Sequence, residues 1–150
     1  NEMEPTFAEL YGERLNGLVL DGDAGRIAFD AGLLSPAFET IIQDHTAANP
    51  REMFLIGLAK GDLAGIPAPD SLSRAIKPAF TGTPLPADLQ ALLDENRVGE
   101  AILSAIDRIE SGVQGNLTAV TEGLSLLRAV GQEKIARRTA LELMLLERRG

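Results

Sequence analysis

The last third of the chain decides the fold, because it carries three consecutive helical patterns: VGEAILSAIDRIESG (residues 98–112), NLTAVTEGLSLLRAV (116–130) and EKIARRTALELMLL (133–146). In the first pattern, apolar side chains recur at offsets 0, 3, 4, 7, 8 and 11, which places them along one stripe of an α-helix. We expect this stripe to be buried, so that Ile106→Asp would cost several kcal/mol by burying a charge without a partner. The stripe consists of Val98, Ala101, Ile102, Ala105, Ile106 and Ile109.

The second and third patterns predict two further helices in the same way. Gly112 and Gly115 mark the turn before the second helix, Asn116 can cap its start, and Gly131 occupies the position of a left-handed residue that ends it. Because short connections hold neighbouring helices roughly antiparallel, the three helices should pack side by side. The second apolar face carries Leu117, Val120, Leu124, Leu127 and Val130, and the third carries Ile135, Ala136, Thr139, Ala140, Leu143, Met144 and Leu146.

Signals for helix starts recur through the first two thirds of the chain. Thr6 to Glu9 has the form of a capping box, and Ser35-Pro36 combines a capping serine with a first-turn proline. Asn49 to Glu52 adds an acidic third residue to the same arrangement, Asp70 can cap a short helix, and Pro86 begins another. These signals predict several short helices before residue 98.

Two apolar runs and one interruption of the helical pattern give further predictions about the core and the domain boundaries. The runs Met53 to Leu58 and Leu141 to Leu146 are candidates either for the core or for a subunit interface, and the first should be centrally buried. Residues 80–86, with two prolines and a glycine, form the clearest break and a possible subdomain boundary. Leu18 to Leu20 is the only short run that could form a strand.

Composition supports the same fold class. Of the 150 residues, 45% are hydrophobic but only 4% are aromatic, so aliphatic side chains must fill the core, as in packed helices. We predict a single all-α domain over residues 1–150, built from about seven to nine short helices. The arrangement is either a compact multi-helix bundle or an irregular, solenoid-like helical repeat. The tetratricopeptide and ankyrin signatures are absent, so we assign no family.

Charge and cysteine content limit the possible functions. The absence of cysteine excludes disulfides, thiolate nucleophiles and metal–thiolate sites. A net charge of −8 and few aromatic residues argue against nucleic-acid binding, which needs a basic surface. The C-terminal helix nevertheless collects bases that either dock an acidic partner or favour the helix's own C-terminus. These bases are Lys134, Arg137, Arg138, Arg148 and Arg149.

Residues able to support catalysis are few and dispersed. His45, the single histidine, is interpreted as a cation near the end of a helix. Asp21 to Gly25 begins like a calcium-binding loop but lacks the later ligands that such a loop requires. Ser73 and Lys77 are four residues apart, which is one too many for the Ser-x-x-Lys motif. We therefore predict no catalytic, cofactor-binding or metal-binding residue.

No apolar run approaches the roughly 18 residues that span a bilayer, so we expect a soluble protein, although the sequence assigns no compartment. The chain begins at Asn1 rather than Met, which is compatible with the removal of a preceding targeting segment.

The leading functional prediction is a non-enzymatic helical interaction domain. Such an adaptor, scaffold or assembly subunit would present apolar helix faces or a groove to another protein, including a second copy of itself. The alternative is a helical bundle that binds an apolar small molecule or lipid in an internal cavity. An enzyme whose site is assembled from dispersed carboxylates and arginines is a third possibility, which a cleft gathering several charged residues would reveal.

Overall fold

The computed structural model describes residues 29–35, 37–43 and 46–146, and the regular structure within these ranges is helical. The all-α prediction is confirmed, and the helices form a multi-helix bundle. The helices with defined bounds are α1 (Phe38–Ile41), α2 (Pro50–Lys60), α3 (Ser71–Ile76), a 3-10 helix (Lys77–Phe80), α4 (Ala87–Asp94), α5 (Val98–Gly112), α6 (Leu117–Ala129) and α7 (Glu133–Leu146). Residues 29–34 are also helical. None of the helices in these ranges is both long enough and apolar enough to cross a membrane.

Two of the predicted helix starts are confirmed by their hydrogen bonds. Asn49 Oδ1 accepts from the backbone N–H of Glu52 at 2.9 Å, and Pro50 occupies the first turn, where no intrahelical N–H bond is lost. Asp70 Oδ1 accepts from the N–H of Ser73 at 2.8 Å, and Ser73 Oγ accepts from the N–H of Asp70 at 2.8 Å. This reciprocal capping box satisfies two helix N–H groups at the start of α3.

Helix ends follow the glycine and proline positions in the sequence. Gly61 ends α2 with φ 77°, and Gly131 follows α6 with φ 84°, both in the left-handed region that glycine favours. Pro86 holds the N-cap position of α4, as expected. Asn116 holds the N-cap position of α6, but its side chain makes no capping hydrogen bond, so the predicted cap is wrong in that respect.

Helix α2 lies at the centre of the core. Phe54, Leu55 and Leu58 are fully buried, which confirms the expectation of a central helix for most of this run. Met53 is 47% exposed, because it lies on the same outward face of α2 as Lys60, seven residues further on. Most of the Leu141 to Leu146 run in α7 is buried against the same core.

A smaller apolar cluster joins α4 to α5 and α6. Its buried members are Leu89 of α4, Ala101 and Ala105 of α5, and Leu126 of α6. Because neighbouring residues of α6 belong to the main core, this helix packs into both clusters. The subdomain boundary at residues 80–86 stays a prediction.

The α5 stripe is buried along one edge and exposed along the other. Ala101, Ala105 and Ile109 pack into the interior, whereas Val98 is 41% exposed and Ile106 is 42% exposed. The expectation that Ile106 is buried is wrong. The physical reason is that α6 covers the Ala105 edge of the stripe, while Ile106 lies at an open groove.

Candidate docking groove

A groove of about 740 Å³ lies between α5 and α7. Its floor is formed by the buried side chains of Ile109, Leu127 and Leu143, and its edges by Ile106 and Ile135. Ile135 is 51% exposed, more than Ile106 on the opposite edge. This volume falls in the range of roughly 300–1,000 Å³ that is typical of ligand sites. We refer to the space defined by these five residues as the α5–α7 groove.

The groove arises from how three helices share their contacts. Helix α6 packs extensively against α5 and also against α7, whereas α5 and α7 make little direct contact with each other. The facing aliphatic side chains of α5 and α7 therefore border an open space beside α6. Leu127 of α6 closes the bottom of this space.

The two walls of the groove have equal length. Along α5 the lining extends from Ile102 to Val113, the C-cap residue that directly follows the helix, and along α7 it extends from Ile135 to Leu146. Each wall therefore covers eleven residue steps, which is about 16 Å of helix. That length corresponds to about three helical turns.

The charged residues that line the groove are acidic. Glu110 of α5 is exposed, and its carboxylate has no hydrogen bond or ion pair within the part of the chain that the structure describes. Glu142 of α7 lies 3.6 Å from Arg138 Nε, one helical turn away. Gln114 and Gln132 contribute the remaining long polar side chains, and no lysine or arginine lines the groove among residues 29–35, 37–43 and 46–146. The groove therefore combines an aliphatic floor with an acidic rim.

The bases predicted for an acidic partner have intramolecular partners where the structure describes them. Arg137 is only 15% exposed; its Nη2 lies 2.8 Å from a Glu39 carboxylate oxygen, and its Nη1 donates to the carbonyl oxygen of Ala59 at 2.8 Å. Lys134 Nζ lies 3.9 Å from Glu39, and Arg138 pairs with Glu142. Arg148 and Arg149 lie outside the described residues, so the acidic partner stays a prediction.

The other residues considered for chemistry have structural roles or lie outside the described ranges. Ser73 is occupied as the capping partner of Asp70, and Lys77 Nζ donates to the carbonyl oxygen of Ile66 at 2.7 Å. His45 and residues 21–25 lie outside the described ranges, as do the Thr6 to Glu9 capping box and the Leu18 to Leu20 run. Among the residues that the structure does describe, no three His, Cys, Asp or Glu side chains are grouped to hold a metal ion.

The Arg97 guanidinium lies between two carboxylates at the start of α5. Hydrogen bonds to the Glu100 and Glu95 carboxylates raise the pKa of Arg97 above its ordinary value. Because the arginine pKa is already high, this guanidinium stays charged and takes no part in proton transfer.

The sequence predicted an apolar face or groove but placed Ile106, one of its two edges, in the core, and it identified Ile135 only as part of an apolar helix face. Ile106 and Ile135 satisfy the helical periodicity as well as the buried residues do. The available signal was the width of the stripe: α5 carries apolar side chains on more of its surface than one neighbouring helix can cover.

No protein-family model matches this sequence, and comparisons with curated proteins and with solved structures give no significant match.

Proposed function

We propose that this protein is a non-enzymatic interaction domain, an adaptor, scaffold or assembly subunit, that binds a partner protein through the α5–α7 groove. The observation that carries the proposal is the pair of half-exposed isoleucines, Ile106 and Ile135, on opposite edges of one aliphatic groove. Large apolar side chains gathered at a concave site are typical of recognition surfaces.

The energetics favour an apolar partner segment. Burying a large aliphatic side chain completely contributes about 1.5–3 kcal/mol, so covering the exposed half of each isoleucine contributes about 1 kcal/mol. The floor residues are already buried in the packed core, so they provide a preformed surface with little ordering cost on binding.

The experiment compares variants with one added charge inside and outside the groove. Ile106→Asp and Ile135→Asp place a carboxylate on each edge. Leu103→Asp is the matched control, because Leu103 is a 69% exposed apolar residue of α5 that does not line the groove. Proteins captured from the native host by the wild-type chain and the three variants are quantified by mass spectrometry, and each groove-dependent candidate is then purified.

Calorimetry then measures the affinity of each purified candidate partner for the wild-type chain and for the three variants. We expect Leu103→Asp to bind like the wild type and both groove variants to bind at least about tenfold more weakly, which is about 1.4 kcal/mol. A partner that binds all four chains with the same affinity would contradict the role of the groove.

A second candidate is binding of an apolar small molecule or lipid. It is favoured by the aliphatic floor, but the half-exposed edges leave the groove open to solvent rather than enclosed. Titration with a fluorescent fatty acid tests it: saturable binding that Ile106→Asp abolishes and Leu103→Asp leaves intact supports this alternative.

The enzymatic alternative has less support in the described residues. An active site built from dispersed carboxylates and arginines needs a cleft that gathers several of them. Among the lining residues that the structure describes, the α5–α7 groove contains two glutamates and no arginine or lysine.

A further inference from the structure

The length of the α5–α7 groove suits a helical segment of about three turns. Helices α5 and α7 flank α6 and leave a space with walls about 16 Å long, which is the length of about three helical turns. A helix placed there would occupy the next packing position of the bundle. It would insert aliphatic side chains spaced three and four residues apart between Ile106 and Ile135.

The acidic side chains at the rim of the groove indicate which charge a bound helix should carry. Glu110 on the α5 wall has no partner among the described residues, and Glu142 on the α7 wall has one, Arg138, at 3.6 Å. No lysine or arginine is found among the described lining residues, and Glu142 already has Arg138 as its partner, so the uncompensated charge there is the carboxylate of Glu110. A helix with lysine or arginine beside its apolar face would pair with the α5 wall, whereas an acidic helix would be repelled there.

From this charge complementarity we infer that the occupant is a basic amphipathic helix of a different protein, with aliphatic anchors at i, i+4 and i+7. This inference rests on the proposed function and narrows it to one class of partner. The chain's own charge argues against a second copy, since each copy carries a net charge of −8. The segment around Thr6 to Glu9 is also acidic, with four glutamates against one arginine in residues 1–14.

The test uses two synthetic peptides that share leucines at i, i+4 and i+7. One carries lysines on both flanks of the apolar stripe, and the other carries glutamates at the same positions. Binding to the full chain is measured by fluorescence anisotropy at about 0.05 M and about 0.5 M salt, because screening weakens rim charge pairs. We expect the lysine peptide to bind about tenfold more tightly at low salt, with the difference shrinking at high salt.

Substitutions at the rim and at the groove edge test two claims separately: that the bound helix is basic, and that a helix binds in the groove at all. Glu110→Gln should weaken the lysine peptide about two- to fivefold, while Asp107→Asn, an exposed acid on α5 outside the groove, should not. Equal binding of both peptides, with both lost in Ile106→Asp, overturns the basic specificity and leaves the docking groove in place. Binding of neither peptide overturns helix docking itself.

Two further outcomes identify a different occupant and would also overturn the inference. One is a dimer in sedimentation velocity that Ile106→Asp dissociates, which would place a second copy in the groove. The other is a photo-reactive side chain at position 106 that crosslinks to residues 1–28 of the same chain. We expect a monomer and no such crosslink.

Discussion

Gly123 of α6 lies directly against the backbone of α5 at Ala105. A Cβ atom added at Gly123 would come within 2.6 Å of the Ala105 carbonyl oxygen and within 2.5 Å of Ile109 Cγ1. The first of these atoms belongs to the backbone and cannot move aside without moving α5. The absence of a side chain at Gly123 therefore allows the two helices to pack closely at this point.

Gly123→Ala should destabilise the protein in spite of the higher helix propensity of alanine. We expect a loss of about 1–3 kcal/mol, because the added methyl group overpacks the α5–α6 contact. Chemical denaturation monitored by circular dichroism measures it. Gly99→Ala is the control, since a Cβ at Gly99 meets nothing within 4 Å, and it should be neutral or slightly stabilising. Equal effects of the two substitutions would mean that the helices are not in close contact.

Ile106 and Ile109 should respond very differently to the same charge. Ile109→Asp should cost several kcal/mol, because this side chain is buried in the main core. Ile106→Asp should cost less than about 1 kcal/mol, because the carboxylate can remain hydrated at the groove edge. Thermal unfolding of both variants tests this. Severe destabilisation by Ile106→Asp would contradict the exposed position of Ile106 and would indicate that it is buried, as the sequence pattern predicted.

Arg137 should contribute more to stability than its neighbour Arg138. Arg137 joins α7 to Glu39 and to the carbonyl oxygen of Ala59, and its guanidinium lies 5.7 Å from the Phe38 ring centre. Arg137→Gln should therefore cost about 2 kcal/mol, since it removes the side-chain donor to the carbonyl oxygen of the buried Ala59 together with the ion pair to Glu39. Arg138→Gln removes one partly exposed pair and should cost less than about 1 kcal/mol. Urea unfolding of both variants measures the difference, and similar losses would contradict it.

The capping box at the start of α3 should contribute measurably to the free energy of unfolding. Asp70→Ala removes the acceptor for the Ser73 N–H and should cost about 1 kcal/mol. Ser71→Ala, at an exposed position one residue later, is the control and should change stability little. Denaturant midpoints at a common temperature compare the two. An Asp70→Ala midpoint equal to the wild-type midpoint would show that the cap contributes nothing.

Local sequence signals determined the class of fold and many of its boundaries. Helical periodicity identified α5, α6 and α7, and the caps at Asn49 and Asp70 are where the sequence placed them. These features could be predicted because each depends on residues within about one helical turn of each other. The same local reasoning anticipated an apolar groove or face but not its position.

Tertiary packing alone decided which apolar side chains are core and which are surface. Ile106 and Ile109 are equivalent in the periodic pattern, yet Ile106 lies at the edge of the groove and Ile109 lies in its floor. The difference arises because α6 approaches one edge of α5 closely at Gly123, while α7 packs on α6 without closing the other edge. A periodic stripe fixes the side of a helix that prefers to leave water, but the positions of its neighbours fix how much of that side is covered.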